Sequence, residues 1–266
     1  MFRPIALCSA ALCLATLVTI WPGLGSAAAP QSFRGEYTVS FLGLAIARAA
    51  FQSRYDGAAY RIDGSVASAG LAQIFDDTKG TIVASGRLAE DGLQPRSFRA
   101  DYTSGRKASL VDIRFANGTV ASTKVVPAPK KRGKDWIALD AADLESALDP
   151  ITATVVRAPS LDQVCGRTVK MYDGELRADL KLSFVKKDKI SVEGYEGPTI
   201  TCRMGFLPVS GYRLGKRALD YLKNRTRIMV TFAPLGQTGV YAPIHATVGT
   251  EIGTITVRAR RFETTN

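Results

Sequence analysis

Histidine is the commonest general base near neutral pH and the commonest metal ligand, and this 266-residue sequence holds one, His245. In Pro243-Ile244-His245-Ala246-Thr247-Val248 it alternates away from Ile244, Ala246 and Val248, which places it on the wet face of a strand. No Gly-x-Ser-x-Gly elbow is present to receive it into a Ser-His-Asp triad. A histidine-rich zinc site needs more than one such residue, and a Cys-Cys-His site would have to sacrifice a disulfide. Walker, dinucleotide-binding and calcium-loop motifs are absent, and the Gly-rich patches read as turns. No catalytic residue, metal site or cofactor is expected.

Carboxylates could still act, because a glycosidase or transglycosylase needs only two. Asp76 and Asp77 are the conspicuous pair, yet adjacent residues point different ways, and Asp-Asp-Thr-Lys-Gly is an ordinary helix stop and loop. Asp63, Asp112 and Asp179 fall on wet strand faces near Arg61, Arg114 and Arg177, where cross-strand charge pairing is expected to hold them. A carboxylate-dependent cell-wall hydrolase is therefore the weakest of the functional readings.

Thiol chemistry is poorly supported as well. Cys8 and Cys13 fall in the leader considered below, which leaves Cys165 and Cys202. An even pair without a Cys-x-x-Cys motif, in an exported chain, is expected to form a disulfide.

The cations are more suggestive. Pro127-Ala128-Pro129 precedes Lys130, Lys131, Arg132 and Lys134, with Trp136 at the end. That combination suits contact with an anionic headgroup or polymer; the other reading is a solvated hairpin loop with Trp136 folded onto the core. Arg213, Lys216, Arg217, Lys223, Arg225 and Arg227 surround a helix expected over Leu214 to Lys223. A membrane-surface or lid role and a plain solvated face both fit it.

The elements that must position these residues are strands. Polar and apolar residues alternate in 33–41, 60–66, 98–103, 109–115, 176–184, 200–206 and 228–232, the pattern of half-buried antiparallel strands. Turns are expected at Asp56-Gly57, Asp91-Gly92, Asn117-Gly118, Asp173-Gly174 and Glu196-Gly197-Pro198. Helical stretches are expected at Gly70–Phe75 and at 140–148, where Asp140 serves as N-cap and Pro150 as terminator. The sequence thus predicts a mainly β chain of about ten to twelve strands, a sheet large enough to curl or split into two layers. Whether its interior is hollow or filled stays open. A half-open barrel and a two-layer sandwich both fit, with a seam expected near 140–150.

Arg3, the apolar run Ile5–Ile20 and Ser26-Ala27-Ala28-Ala29 read as a signal peptide over 1–28, followed by one periplasmic domain over 29–266. The net charge of +11 points in an exported protein to anionic envelope partners rather than nucleic acid.

Several short motifs carry a resemblance: Tyr37-Thr38-Val39-Ser40-Phe41-Leu42-Gly43-Leu44, Tyr60-Arg61-Ile62, Gly92-Leu93-Gln94-Pro95, Asp149-Pro150, and Cys165 followed by Tyr172-Asp173-Gly174-Glu175-Leu176-Arg177 and closed by Cys202. On these the chain resembles a bacterial exported family described as a domain of unknown function, DUF3108, which supplies no catalytic residues. More distantly it is similar to lipoprotein carriers of the LolA type and to envelope-integrity proteins of that shape, a likeness of fold. The resulting expectation is a non-enzymatic cell-envelope protein that binds an apolar or amphipathic ligand, such as a lipid, or supports envelope integrity. The alternative is a filled-core scaffold whose basic residues contact an anionic membrane surface.

Overall fold

The alternating segments all form strands, and they join one antiparallel sheet. The computed structural model describes residues 30–70, 73, 77–90, 92–129 and 132–265. The leader, most of the Gly70–Phe75 stretch, Asp76, Asp91, Lys130 and Lys131 lie outside the described residues. In chain order the strands are β1 (Gln31–Phe41), β2 (Leu44–Asp56), β3 (Ala59–Ser68), β4 (Thr78–Ala89), β5 (Gly92–Ser104), β6 (Lys107–Ala116), β7 (Thr119–Val126) and β8 (Trp136–Ile137). They continue as β9 (Val156–Arg157), β10 (Arg167–Tyr172), β11 (Arg177–Val192), β12 (Tyr195–Ser210), β13 (Tyr212–Arg213), β14 (Ile228–Pro234), β15 (Val240–Thr250) and β16 (Gly253–Thr265). The main sheet runs β10-β11-β12-β14-β15-β16-β1-β2-β3-β4-β5-β6-β7, with β9 paired to β15, while β8 and β13 form a separate ribbon. Three of the sixteen, β8, β9 and β13, are two residues long, which leaves thirteen longer strands, one more than the ten to twelve expected.

Of the two expected architectures, the half-open barrel is the one present. The edge strands β10 and β7 approach each other, with the Tyr172 hydroxyl 3.3 Å from Thr123 Oγ1. They do not pair. The chain from Glu145 to Leu148 crosses between them instead. Ser146 N donates to Gly118 O at 2.7 Å, while Leu148 N donates to Lys170 O and Tyr172 N to Leu148 O at 2.7 and 2.8 Å. This strap satisfies backbone groups on both open edges, which would otherwise template pairing with another chain. The stretch near 140–150 thus forms a clasp between the two edges of the sheet.

Helix is sparse, as the sequence predicts. The 140–148 stretch yields only α1 (Ala141–Leu144), started by an Asp140–Asp143 capping box. The third candidate forms α2 (Arg217–Asn224), shifted past Gly215, with Leu219 buried and Leu214 left exposed outside it. One expected turn is misplaced. Glu196-Gly197-Pro198 lies inside β12, and the β11–β12 reversal falls at Glu193-Gly194, where Gly194 has φ +82°. Gly197 and Pro198 sit in register with Ile190 and Lys189.

Interior packing is uneven along the barrel. Phe98 and Ile113 are buried, but the next residues on the same face, Ala100 and Val111, are half-buried, and Tyr102 is exposed. Phe33 is buried, whereas Tyr37 and Phe41 are half-buried. The dense end holds Tyr55, Tyr60, Ile62, Leu93 and Phe115. At the other end, which carries the β1–β2, β5–β6 and β15–β16 turns and α2, the described residues pack loosely and leave the interior open.

Candidate functional site

What fills the dense end is the chain that follows the strap. Asp149 is fully buried, and its Oδ1 accepts from Ile151 N and Thr152 N at 3.0 and 2.9 Å, starting a 3₁₀ turn at Thr152–Thr154. Val156–Arg157 then pairs with Val240–Tyr241 as β9. Residues 149–158 thus form a plug, and Cys165 pins its exit by a disulfide to Cys202 on β12. Both cysteines lie in a second apolar cluster with Val164, Leu182, Ile200 and Phe232.

The plug does not fill the barrel. Between it and the wall of β1, β2, β14, β15 and β16 lies a cavity of about 290 Å³. Its surface is almost wholly apolar and includes Phe51, Ala49, Val155, Val230, Ala246 and Val257. Its polar lining includes Ser53, Thr154 and two tyrosines, with Arg34 and Glu263 at its margin. Tyr37 Oη donates to Pro243 O at 2.9 Å, and burial raises its pKa above the ordinary range. The Tyr55 hydroxyl is buried beside Ser53 without a hydrogen bond of good geometry, and burial pushes its pKa up to about 12. Both remain protonated donors. An apolar void about twice the size of one that holds benzene (roughly 150 Å³) can take an organic guest of several more carbons. A second pocket of about 380 Å³, on the far side of Val155, is more polar and touches Arg157, Arg167 and Lys170.

Of the basic residues singled out in the sequence, those that the structure describes gather at the open end, where the β8–β13 ribbon joins their two segments. Trp136 is in register with Arg213. Arg132 Cζ stands 4.7 Å from the Trp136 ring centroid, and Arg213 Nε lies 3.1 Å from Asp135 Oδ2. Trp136 is half-buried, with its indole nitrogen buried and unpaired, so it neither projects to solvent nor joins the core. Lys134 is exposed, Lys216 precedes α2, and Arg217 is 3.6 Å from Glu251.

Charges expected to pair across strands pair mostly along them. Arg61 grips Asp63, Arg114 grips Asp112 and Arg177 grips Asp179, each two residues away on the same face. Arg99 to Asp112, at 3.3 Å, is a cross-strand contact of the expected kind. His245 is half-buried opposite Arg258, and burial together with that cation lowers its pKa. Among the described residues no group of three or more His, Cys, Asp or Glu could hold a metal ion.

Sequence reasoning missed Asp149 as a buried group. Burial raises its carboxyl pKa to about 6, against the opposing effect of its hydrogen bonds. Asp149-Pro150 followed by Thr152 was a readable signal, since Asp commonly starts such turns.

Comparison with known proteins agrees with this architecture. The family model described as Protein of unknown function (DUF3108) matches residues 36–260. Among solved structures, a β-barrel-like protein of domain of unknown function DUF1849 from Brucella abortus superposes with a TM-score of 0.51 at 10% identity, covering 89% of this chain and 98% of that one. That likeness is one of fold. No curated protein matches the sequence.

Proposed function

This chain belongs to the DUF3108 family, and we propose that it is a non-catalytic binding protein of the bacterial envelope that holds an apolar or amphipathic ligand inside its half-open barrel. The observation that carries the reading is the cavity of about 290 Å³, walled by apolar side chains beneath an interior that loosens toward one end. Small-ligand sites are concave and mainly apolar, with a few placed polar groups. The buried Tyr55 hydroxyl is such a group, available to a ligand oxygen. Export is supported by the leader-like N-terminus and by a disulfide, which persists in oxidising compartments.

The filled-core alternative describes the dense end, where the plug occupies the interior, but not the cavity beside it. The deciding experiment is native mass spectrometry with lipid extraction on the mature protein purified gently from the periplasm. A stoichiometric co-purifying lipid, or saturable binding of the neutral probe N-phenylnaphthylamine by delipidated protein, is expected. A bare mass together with no probe binding would overturn the reading in favour of a scaffold.

A further inference from the structure

The open end carries a surface that a barrel in bulk water would not favour. Leu42 and Gly43 are the central residues of the β1–β2 turn, with φ +49° and +85°. Positive φ at both positions is the type I′ hairpin geometry, for which Asn-Gly is preferred. A leucine in the left-handed region is disfavoured by its backbone, and such outliers concentrate where function requires them. Burial does not compensate, because Leu42 is 65% exposed and Leu44, just beyond the turn, is 63% exposed.

The neighbouring tip extends the same surface. Leu42 N donates to Thr254 O at 3.2 Å, and the Leu42 side chain lies over Gly253, where a Cβ would meet its Cδ2 at 2.5 Å. Ile252, next to that glycine at the β15–β16 tip, is 78% exposed. Isolated exposed aliphatic residues are ordinary. Here three of them stand on two hydrogen-bonded tips, one held by an unfavourable turn.

Cations flank this ridge. Gly249 N donates to Arg227 O, the Thr226 hydroxyl donates to Gly249 O, and Arg217 pairs with Glu251. These contacts set α2 and the chain after it beside the β15–β16 tip. Lys216, Arg217, Lys223, Arg225 and Arg227 are all exposed there, against the carboxylates of Asp220 and Glu251. Aliphatic side chains bordered by excess cations match the boundary between headgroups and acyl chains of an anionic bilayer. The first group enters the hydrocarbon margin while the second meets lipid phosphates.

We propose that the open end docks on an anionic bilayer surface, with Leu42, Leu44 and Ile252 inserted and the α2 cations over the headgroups. The proposal goes beyond ligand binding in the cavity and does not depend on it, although docking would set the loosely packed end of the interior against the membrane.

The test is co-sedimentation with phosphatidylcholine vesicles, with and without phosphatidylglycerol, at low and raised salt. The wild-type chain is expected to bind the phosphatidylglycerol vesicles and to release as salt rises. Leu42→Asn installs the preferred turn residue, so the double variant Leu42→Asn/Ile252→Ser is expected to keep its melting temperature. It should lose at least about tenfold in vesicle affinity, as expected when two aliphatic side chains leave the bilayer margin. N-phenylnaphthylamine binding, measured without vesicles, should be the same in both proteins. Unchanged vesicle affinity in the double variant would overturn the proposal. So would a wild-type chain that binds neither vesicle, which would assign the ridge to a protein partner. Failure of both proteins to bind the probe would count against the cavity reading alone.

Discussion

The Tyr60 hydroxyl lies 2.9 Å from Thr152 Oγ1, joining the barrel wall on β3 to the plug that fills its dense end. Ninety-two residues separate the two in sequence. The contact is buried, and the Asp149 carboxylate adjoins it, raising the pKa of Tyr60 further beyond the effect of burial. The plug is thus anchored by one hydroxyl pair and one carboxylate-capped turn.

That carboxylate predicts a pH dependence of unusual sign. Its folded pKa of about 6 stands above the ordinary aspartate value of 3.8, so between those limits the native state binds more protons than the unfolded one. Stability from this group falls as pH rises from about 4 to about 6 and stays low above that. The difference amounts to up to about 3 kcal/mol at two units of separation. Asp149→Asn keeps an acceptor for the Ile151 and Thr152 amides and removes the titration. Wild-type protein should gain stability relative to this variant as pH drops from about 7 to about 5. Chemical denaturation at several pH values measures it, and parallel curves for the two proteins would exclude Asp149 as the source.

Reduction should weaken the fold substantially. The Cys165–Cys202 bond closes 37 residues of sequence that include β10 and β11. In the chain-entropy model a loop of that length contributes about 3–4 kcal/mol. Adding reductant, or replacing both cysteines with Ala, should lower the melting temperature by several degrees. An unchanged melt would mean that the second apolar cluster holds the plug's exit without the bond.

The strap offers a more local test. Ser146 has φ +56° while its amide bonds to Gly118 O, a backbone conformation that a β-branched residue tolerates poorly. Ser146→Val should cost about 1–2 kcal/mol. It should also speed hydrogen exchange at the Leu148 and Tyr172 amides, which close the other edge. Exchange unchanged at those two positions would show that the edges hold together without the strap.

The alternation that places Phe98 and Ala100 on one face of β5 was legible because a strand has period two. The disulfide was legible because two cysteines have one pairing. What escaped was non-local. No pattern within 145–158 reveals that these residues cross from β7 to β10 and then enter the barrel, since their partners lie on strands far away in sequence. The β11–β12 reversal was misread because Glu196-Gly197-Pro198 has turn composition, yet its backbone is extended in β12; Glu193-Gly194, with a glycine at positive φ, makes the turn. Arg61 and Arg114 are exposed on the wet face as expected, but Arg177 is buried, and the three pairs run along their strands rather than across. Arginine is long enough to reach the carboxylate two residues along its own strand, as Arg61 does with Asp63 at 2.7 Å. Such exposed pairs contribute little to stability in any case.

Filling the cavity separates a real binding site from loose packing. Ala246 lines it, in register with Val230 on one side and Val257 on the other. Ala246→Phe projects a ring into the void from a wall already held by two strands. If the space persists in solution, the ring occupies it. Stability should then hold or rise slightly, and N-phenylnaphthylamine affinity should fall by more than about tenfold as the guest loses its apolar contacts. If the walls instead close together in water, the added ring overpacks the interior and should cost about 1–3 kcal/mol. The wild-type protein would in that case bind no probe. Melting temperature and probe titration on the same pair of proteins therefore distinguish the two, and retained probe affinity in a stable Ala246→Phe protein would place the binding site elsewhere on the molecule.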